Sequence, residues 1–349
     1  MEENLRWGQR KANMTGVKLR PHTKTHRTPA LAKRQVELGA QGITVAKLGE
    51  AEVMAAAGIN DIFIANEIVG PIKLKRLRKL AQQVRITVGV DNPKHVSILA
   101  TAFASEARPL EVLIDVDTGY GRTGVKPGQQ VLDLARLILQ SPTLKLRGIF
   151  THEGHSYKAE NVAEIKQVFR HSQENMLTTA RLLRQADVHV EEISVGATPA
   201  LLVGDVLSGI TEIRPGTYIF LDAAQGNILG SYKRCALTVL ATVVNRPISG
   251  NVVIDAGVKA LTAFVRSTGM GRTQGYGLLK ALPEVHLSEV SDEHGVFNSP
   301  PGYNFYIGEK IEIIPNHACP TCNLYDYIYG IKKGCVVYKW PVLARGKSQ

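Results

Sequence analysis

Lys18-Leu19-Arg20-Pro21-His22-Thr23-Lys24-Thr25-His26-Arg27-Thr28-Pro29 is the stretch on which the fold turns. Val17 and Leu19 give it a short apolar lead, and Pro29 stands where a helix can begin. Lys24 is set between threonines and histidines at the end of that short strand. One reading is a basic strand edge washed by solvent. The sharper reading is a lysine that forms a Schiff base, with its proton affinity lowered by desolvation or by neighbouring positive charge. Only the rest of the chain separates the two.

Outward from this stretch, short apolar runs alternate with helical segments. The runs cover residues 17–22, 43–46, 61–65, 85–90, 111–116, 146–151, 192–195 and 212–220. Most are near-continuous Val, Ile, Leu and Phe, as parallel strands buried on both faces require. Residues 30–38, 49–57, 131–139 and 163–186 carry helical periodicity, and 195–212 is the weakest helix. Eight strand–helix alternations predict an α/β fold, a (β/α)8 TIM-type barrel over residues 1–224. Over residues 225–349 the helical periodicity disappears. Residues 236–244, 251–254, 285–290, 310–314 and 335–340 read as strands, with turn-rich links at 247–250, 300–302 and 332–334. A C-terminal β-domain is predicted there.

The 349 residues suit a barrel of about 250 residues plus an appendage. A hydrophobic fraction of 44% allows a sizeable core, and no apolar run reaches the roughly 18 residues of a membrane span. The opening MEENLRWGQRKANMTG lacks the apolar core of a secretory signal. Cys235, Cys319, Cys322 and Cys335 are too few and too clustered for a disulfide framework, so a reduced, cytoplasmic protein is expected. The net charge of +11 suits nucleic acid or anionic metabolites equally. In the densest basic run, residues 73–80, Leu74, Leu77 and Leu80 predict an amphipathic helix with a solvated basic face. No aromatic residue interleaves that run, so nucleic-acid binding is not expected.

In such a barrel the reacting groups sit at the carboxyl ends of the strands. Lys24 follows the first run, residues 117–124 the fifth, residues 151–157 the sixth, and residues 194–199 the seventh. Residues 214–218 lie along the eighth. Small residues and a hydroxyl after the seventh strand, then a tyrosine on the eighth, suit a phosphate cradle built from backbone N–H groups. Gly196-Ala197-Thr198-Pro199-Ala200 alone reads as a plain loop; its place at the usual barrel phosphate site favours the cradle. A lysine and a phosphate site at one mouth point to pyridoxal 5'-phosphate (PLP).

A second constellation is Pro315-Asn316-His317-Ala318-Cys319-Pro320-Thr321-Cys322. Imidazole with thiolate suits Zn²⁺. An i, i+2 spacing in an extended segment aims His317 and Cys319 the same way and leaves positions open for water or substrate. The alternatives are a buried histidine beside an inert core cysteine, or Cys319 and Cys322 as half of a structural zinc site. No second cysteine pair completes the latter.

RPHTKTH (20–26), DTGYGRTGV (117–125), THEGHSY (151–157), SVGATPA (194–200), EIRPGTYIF (212–220) and EHG (293–295) together resemble the D-serine dehydratase / D-threonine aldolase family. That family has the alanine racemase-like fold, a PLP barrel followed by a β-domain. The resemblance implies that Lys24 is the Schiff-base lysine and that Arg122 faces the cofactor's phenolic oxygen. It implies that Tyr157 lines the ring and that Gly196, Thr198 and Tyr218 line the phosphate end. His317 and Cys319 match the metal ligands of the dehydratase branch. The aldolase branch usually has an aspartate in place of Cys319, which suits Mn²⁺, yet residues 320–326, PTCNLYD, are closer to aldolase-like sequences. The resemblance also implies a head-to-tail homodimer, the β-domain of one subunit closing the other's barrel mouth. Family members usually begin with a further strand before the first helix. This chain starts inside that helix, so the expectation is an upstream start or a β-domain one strand short.

The expected activity is that of a PLP- and metal-dependent lyase on a β-hydroxy D-amino acid. As a dehydratase of D-serine or D-3-hydroxyaspartate, it would use Lys24 to take the α-proton and the metal to stabilise the departing hydroxide. The products would be a 2-oxo acid and ammonia. As a D-threonine aldolase it would give glycine and an aldehyde, with His152 the candidate base. A non-catalytic PLP-binding protein is the second alternative. An alanine-type racemase needs a second acid–base tyrosine from the β-domain, and no such motif stands out.

Overall fold

The first sheet is assembled from eight short, mostly apolar strands, all but one of which carry a charged residue. They are β1 (Lys18–Leu19), β2 (Ile43–Val45), β3 (Asp61–Ile64), β4 (Arg85–Val90), β5 (Leu110–Asp115), β6 (Leu144–Phe150), β7 (Glu192–Val195) and β8 (Glu212–Ile213). The computed structural model describes residues 1–247 and 250–349. All pairings in this sheet are parallel, in the order β1-β8-β7-β6-β5-β4-β3-β2, and a parallel bridge from His22 to Thr44 joins the two ends. Ile43, Val45, Ile62, Ile64, Val88, Val90, Val112 and Ile114 are fully buried, as two-sided burial demands. The sheet is thus the barrel expected from the alternation of strands and helices.

Helices Pro29–Glu37, Leu48–Ala56, Pro71–Ala81, Gln129–Leu139 and Val162–Gln185 cover its outside. The basic run forms the third of these. Leu77 and Leu80 are buried, while Arg76 and Arg78 pair with Glu52 at 2.6 Å and Glu106 at 2.7 Å. Part of its positive face is therefore neutralised within the chain.

Two strand predictions in this sheet were much too long. β1 stops at Leu19 because Pro21 has no N–H to donate, and a 3-10 turn follows at Thr23–Thr25. β8 stops at Ile213 for the same reason at Pro215, and Thr217–Ile219 forms another 3-10 turn. The weak segment 195–212 holds one short helix, Thr198–Val203.

The second sheet is antiparallel. Its strands are β9 (Val239–Asn245), β10 (Asn251–Ile254), β11 (Leu278–Leu279), β12 (Glu289–Val290), β13 (Gly295–Asn298) and β14 (Lys310–Ile314), in the order β11-β14-β9-β10-β13-β12. Val243, Val252, Ile254, Leu287, Phe297 and Ile313 make its core. The predicted strand at 285–290 shortens to β12, and the turn read at 247–250 lies partly outside the described residues. Helical structure does not vanish here: Val258–Leu261 and Ala318–Cys322 are single helical turns. A separate ribbon of β15 (Tyr327–Lys332) and β16 (Cys335–Pro341) exposes Tyr329, Ile331, Val336 and Tyr338.

An apolar cluster fastens the two sheets together. Leu5, Leu31, Tyr218 and Phe220 from the barrel side meet Ala318 and Cys322. Among the described residues no helix is long and apolar enough to cross a membrane.

Candidate active site

The 3-10 turn that truncates β1 places Lys24. The backbone N–H of Lys24 donates to Nδ1 of His22 at 3.4 Å, and Thr23 Oγ1 donates to the carbonyl of Thr44 at 3.2 Å. Burial lowers the proton affinity of Lys24 below the usual lysine range. Arg122 and Arg214 push the same way, against the opposing influence of Cys319 and Glu50. A neutral amine is the form that a nucleophile or base requires.

Lys24, Arg122, His152, Tyr157, Gly196 and Thr198 all line one cavity. Arg122 is presented by a glycine-rich loop folded around Asp117, whose Oδ1 accepts from the N–H of Gly119 and of Gly121, each at 3.0 Å. Its guanidinium lies 5.1 Å over the Tyr120 ring. Nδ1 of His152 is 3.0 Å from the Gly196 carbonyl, and its ring meets Tyr120 edge-on. Burial, reinforced by Lys24, drives its pKa down to about 3. His152 is therefore a neutral ring that holds a proton poorly.

Gly196 earns its place by close approach: a Cβ there would lie 2.6 Å from the backbone nitrogen of Arg214. Its own N–H donates to Glu153 Oε2 at 3.0 Å, so that amide is already engaged. Thr198 opens the short helix Thr198–Val203 at the cavity wall.

Tyr218 behaves differently from its expected role at the phosphate end. The 3-10 turn at Thr217–Ile219 sends Thr217 to the cavity and Tyr218 into the core. The Tyr218 ring packs against Gly8, where any Cβ would collide with it, and its hydroxyl accepts from Gln35 Nε2 at 2.9 Å.

Arg214 is a cavity residue that motif reading left without an assigned role. Its guanidinium lies 5.1 Å from the Phe150 ring and donates to the Thr151 carbonyl at 2.6 Å and to Ser194 Oγ. Ser194 in turn donates to Glu212 at 2.6 Å, and Glu212 pairs with Arg20 at 2.7 Å. This buried chain fixes Arg214 from below.

Cys319 stands just behind the wall of the same cavity, against Thr217. Cys319 Sγ lies 3.3 Å from Thr25 Oγ1 and 3.8 Å from Thr217 Oγ1, and Thr217 lines the cavity. The segment is not extended throughout, as the i, i+2 spacing implied. Only His317 is extended; Cys319 sits in the helical turn Ala318–Cys322. Asp222 explains the switch. Its Oδ2 accepts from the Ala318 N–H at 2.9 Å and lies 3.1 Å from His317 Nδ1. Cys322 points the other way, into the apolar cluster, and burial pushes its thiol well up.

Burial opposes a charged His317, yet Cys319 and Asp222 outweigh it and raise its pKa to about 10. Burial likewise opposes a Cys319 thiolate, but His317, Lys24 and Thr25 bring its pKa down to about 7. An imidazole oriented by a carboxylate and a thiol inclined to ionise are the donor chemistry a divalent metal takes. Among the described residues no group of three or more His, Cys, Asp or Glu side chains converges on one point, so these two stand as a pair. Asp222 was invisible in the sequence as a site residue. An aspartate before a helix reads simply as an N-cap, which it also is through Gln225.

The parallel barrel with Lys24 at its mouth, joined to an antiparallel sheet that bears the His–Cys pair, defines a class: PLP-dependent lyases of the alanine racemase fold. Residues 1–224 match the alanine racemase N-terminal domain, and residues 236–331 match the putative serine dehydratase domain. The chain is similar to D-threonine aldolase of Arthrobacter sp, 35% identical over 100% of this chain and 90% of that protein. It is similar to D-threo-3-hydroxyaspartate dehydratase of Delftia sp. (strain HT23), 32% identical over 92% of this chain and 88% of that protein. The crystal structure of D-threonine aldolase from Filomicrobium marinum superposes with a TM-score of 0.89 at 31% identity, covering 99% of this chain and 93% of that one. The chain belongs to the D-serine dehydratase / D-threonine aldolase family.

Proposed function

We propose that this chain is a PLP- and divalent-metal-dependent lyase that dehydrates a β-hydroxy D-amino acid, D-serine or D-3-hydroxyaspartate, to a 2-oxo acid and ammonia. The carrying observation is the His317–Cys319 pair beside the lysine cavity, with Asp222 behind the histidine. Lys24, Arg122, Tyr157, Gly196 and Thr198 are the residues that would hold PLP, which supplies an electron sink for the bond broken at Cα. His317 and Cys319 would hold the metal, Zn²⁺ by the softness of the thiolate and Mn²⁺ as the alternative, which supplies a Lewis acid for the β-hydroxyl.

The chain's own groups divide the remaining work. Lys24, its proton affinity lowered by burial, takes the proton from Cα. Arg122 has no carboxylate partner among the described residues, which frees its charge for the cofactor's phenolic oxygen. Arg214, clamped by Ser194 and Thr151, holds a fixed positive charge in the cavity floor. Asp222 keeps the Nδ1 proton of His317 in place, which leaves Nε2 for the metal.

A second reading, the aldolase, is favoured by the 35% identity to the Arthrobacter enzyme. It needs a base for the β-hydroxyl. His152, with its pKa near 3, is poorly suited to hold that proton. Cys319 in place of the aspartate usual in the aldolase branch is what favours dehydration here. The exposed apolar ribbon β15–β16 supports a homodimer, and we divide the chain into a barrel domain, 1–224, and a β-domain, 225–349. The deciding experiment supplies purified protein with PLP and Zn²⁺ or Mn²⁺, adds D-serine, D-threonine and D-threo-3-hydroxyaspartate, and separates the products. Oxo acid with ammonia is expected. Glycine with an aldehyde would replace the dehydratase with the aldolase.

A further inference from the structure

Among the described residues Arg266 is the one arginine stacked on the site's aromatic rings whose charge the proposed reaction leaves unused. It lies in the loop between the helical turn Val258–Leu261 and β11. Its backbone is pinned at both ends to one residue: its N–H donates to Thr273 Oγ1 at 3.0 Å, and its carbonyl accepts from the Thr273 N–H at 3.0 Å. The side chain then crosses close over Gly271, where a Cβ would lie 3.4 Å from its Cδ. The guanidinium ends 4.3 Å above the centre of the Tyr157 ring and 5.6 Å from that of Phe264. Tyr157 lines the lysine cavity, and the Phe264 ring lies 5.0 Å from that of His317. Arg266 therefore spans two rings, one in the cavity wall and one beside His317.

Its charge is uncompensated. Among the described residues Arg266 forms no ion pair, although most buried or half-buried arginines of this chain do, as with Arg20, Arg27 and Arg147. Its Nε is buried with no hydrogen-bond acceptor. A buried donor on a charged group normally finds a partner. Stacking holds the guanidinium plane without consuming its N–H fork, which is the arrangement that receives a carboxylate bidentately. Arg214 already donates to Ser194 and Thr151, and Arg122 is assigned to the cofactor.

We infer that Arg266 is a specificity residue whose guanidinium receives a carboxylate of the amino-acid substrate. This rests on the lyase reading above for the identity of the ligand. Every amino acid offers an α-carboxylate, and a β-carboxylated one offers a second; both present the same planar anion to the fork. The site thereby selects the free acid over its amide or ester.

The test uses PLP- and Zn²⁺-loaded protein and ligands that carry no β-hydroxyl to eliminate: D-alanine, D-alaninamide and D-aspartate. Binding is read by calorimetry and by the visible cofactor spectrum, for wild type, Arg266→Gln and Arg266→Lys. In Arg266→Gln, binding of both free acids is expected to weaken roughly 10- to 100-fold, with D-alaninamide unchanged. Arg266→Lys is expected to fall between, because it keeps the charge and loses the fork. A loss confined to D-aspartate assigns the β-carboxylate; a loss for both acids assigns the α-carboxylate. Equal weakening of the amide, or no change for any acid, overturns the proposal, and comparing the two variants exposes a simple folding defect. The lyase reading fails separately, when wild type binds D-alanine yet releases no product from any β-hydroxy D-amino acid.

Discussion

Asp222 Oδ2 stands 3.1 Å from Nδ1 of His317 and accepts the N–H of the very next residue, Ala318, at 2.9 Å. One carboxylate thus orients the imidazole and starts the helical turn that carries Cys319. Asp222→Asn keeps an oxygen for the helix cap but weakens the anchor on His317. Metal affinity is expected to fall roughly 10- to 100-fold. Equilibrium dialysis against a metal buffer checks this; unchanged affinity would show that His317 is held by something else.

Lys24 and Cys319 are expected to separate cleanly by mutation. Lys24→Ala abolishes turnover together with the visible absorbance of lysine-bound PLP. Cys319→Ala abolishes β-elimination and leaves that absorbance intact. Spectra and product assays on the same two preparations check both, and retained turnover in Cys319→Ala would refute the metal's role.

Tyr218 is expected to be a residue of the core and not of the cofactor site. Tyr218→Phe removes the hydrogen bond from Gln35. The loss of stability is expected to be about 0.5–1.5 kcal/mol by denaturant unfolding. PLP affinity is expected to stay within about twofold, since a core hydrogen bond sets stability and not a ligand contact. A tenfold or greater fall in PLP affinity would return Tyr218 to the phosphate end.

Glu153 makes stability depend on pH. Burial raises its pKa from 4.5 to about 7 in the folded chain, and one of its oxygens, Oε1, has no hydrogen-bond partner. Between those two values the folded chain holds a proton that the unfolded chain releases. This group's contribution is therefore fully present below 4.5 and is lost as pH rises through about 7. Glu153→Gln removes the titration, so its unfolding free energy is expected to vary less over that window than the wild type's. Parallel wild-type and mutant slopes would contradict the assignment.

The barrel was readable because short apolar runs alternate with helical periodicity eight times, even though charged residues such as Glu111, Arg147 and Glu192 interrupt the strands. That Lys24, Arg122, His152 and Tyr157 share one cavity was readable because a parallel barrel forces strand ends to one mouth, so order along the chain gives position in space. Asp222 and Arg266 were not. Asp222 meets His317, 95 positions later, only through packing between the two sheets. Arg266 sits in a loop with no periodicity at all. Tyr218 misled because a single 3-10 turn after Pro215 reverses which neighbour faces the cavity. Cys319 and Cys322 looked like a pair, yet the helical turn sends one to the cavity and the other to the apolar cluster.

The barrel's closure has a kinetic consequence. β5 registers with β6 along its whole length, Leu110 to Asp115, and at the seam of β1 and β2 the bridge of His22 and Thr44 is backed by the Gln41 N–H on the Leu19 carbonyl and the Thr44 N–H on the Pro21 carbonyl, each at 2.9 Å. That seam lies two residues from Lys24. The hoop is thus sewn shut by hydrogen bonds beside the lysine, and Thr44 adds its hydroxyl on the Arg20 carbonyl at 3.0 Å. Opening the seam would break those bonds together, so the lysine's backbone is held as firmly as the staves opposite. Amide exchange at Thr44, fully buried and bonded, is accordingly expected to be as slow as exchange at Ile114.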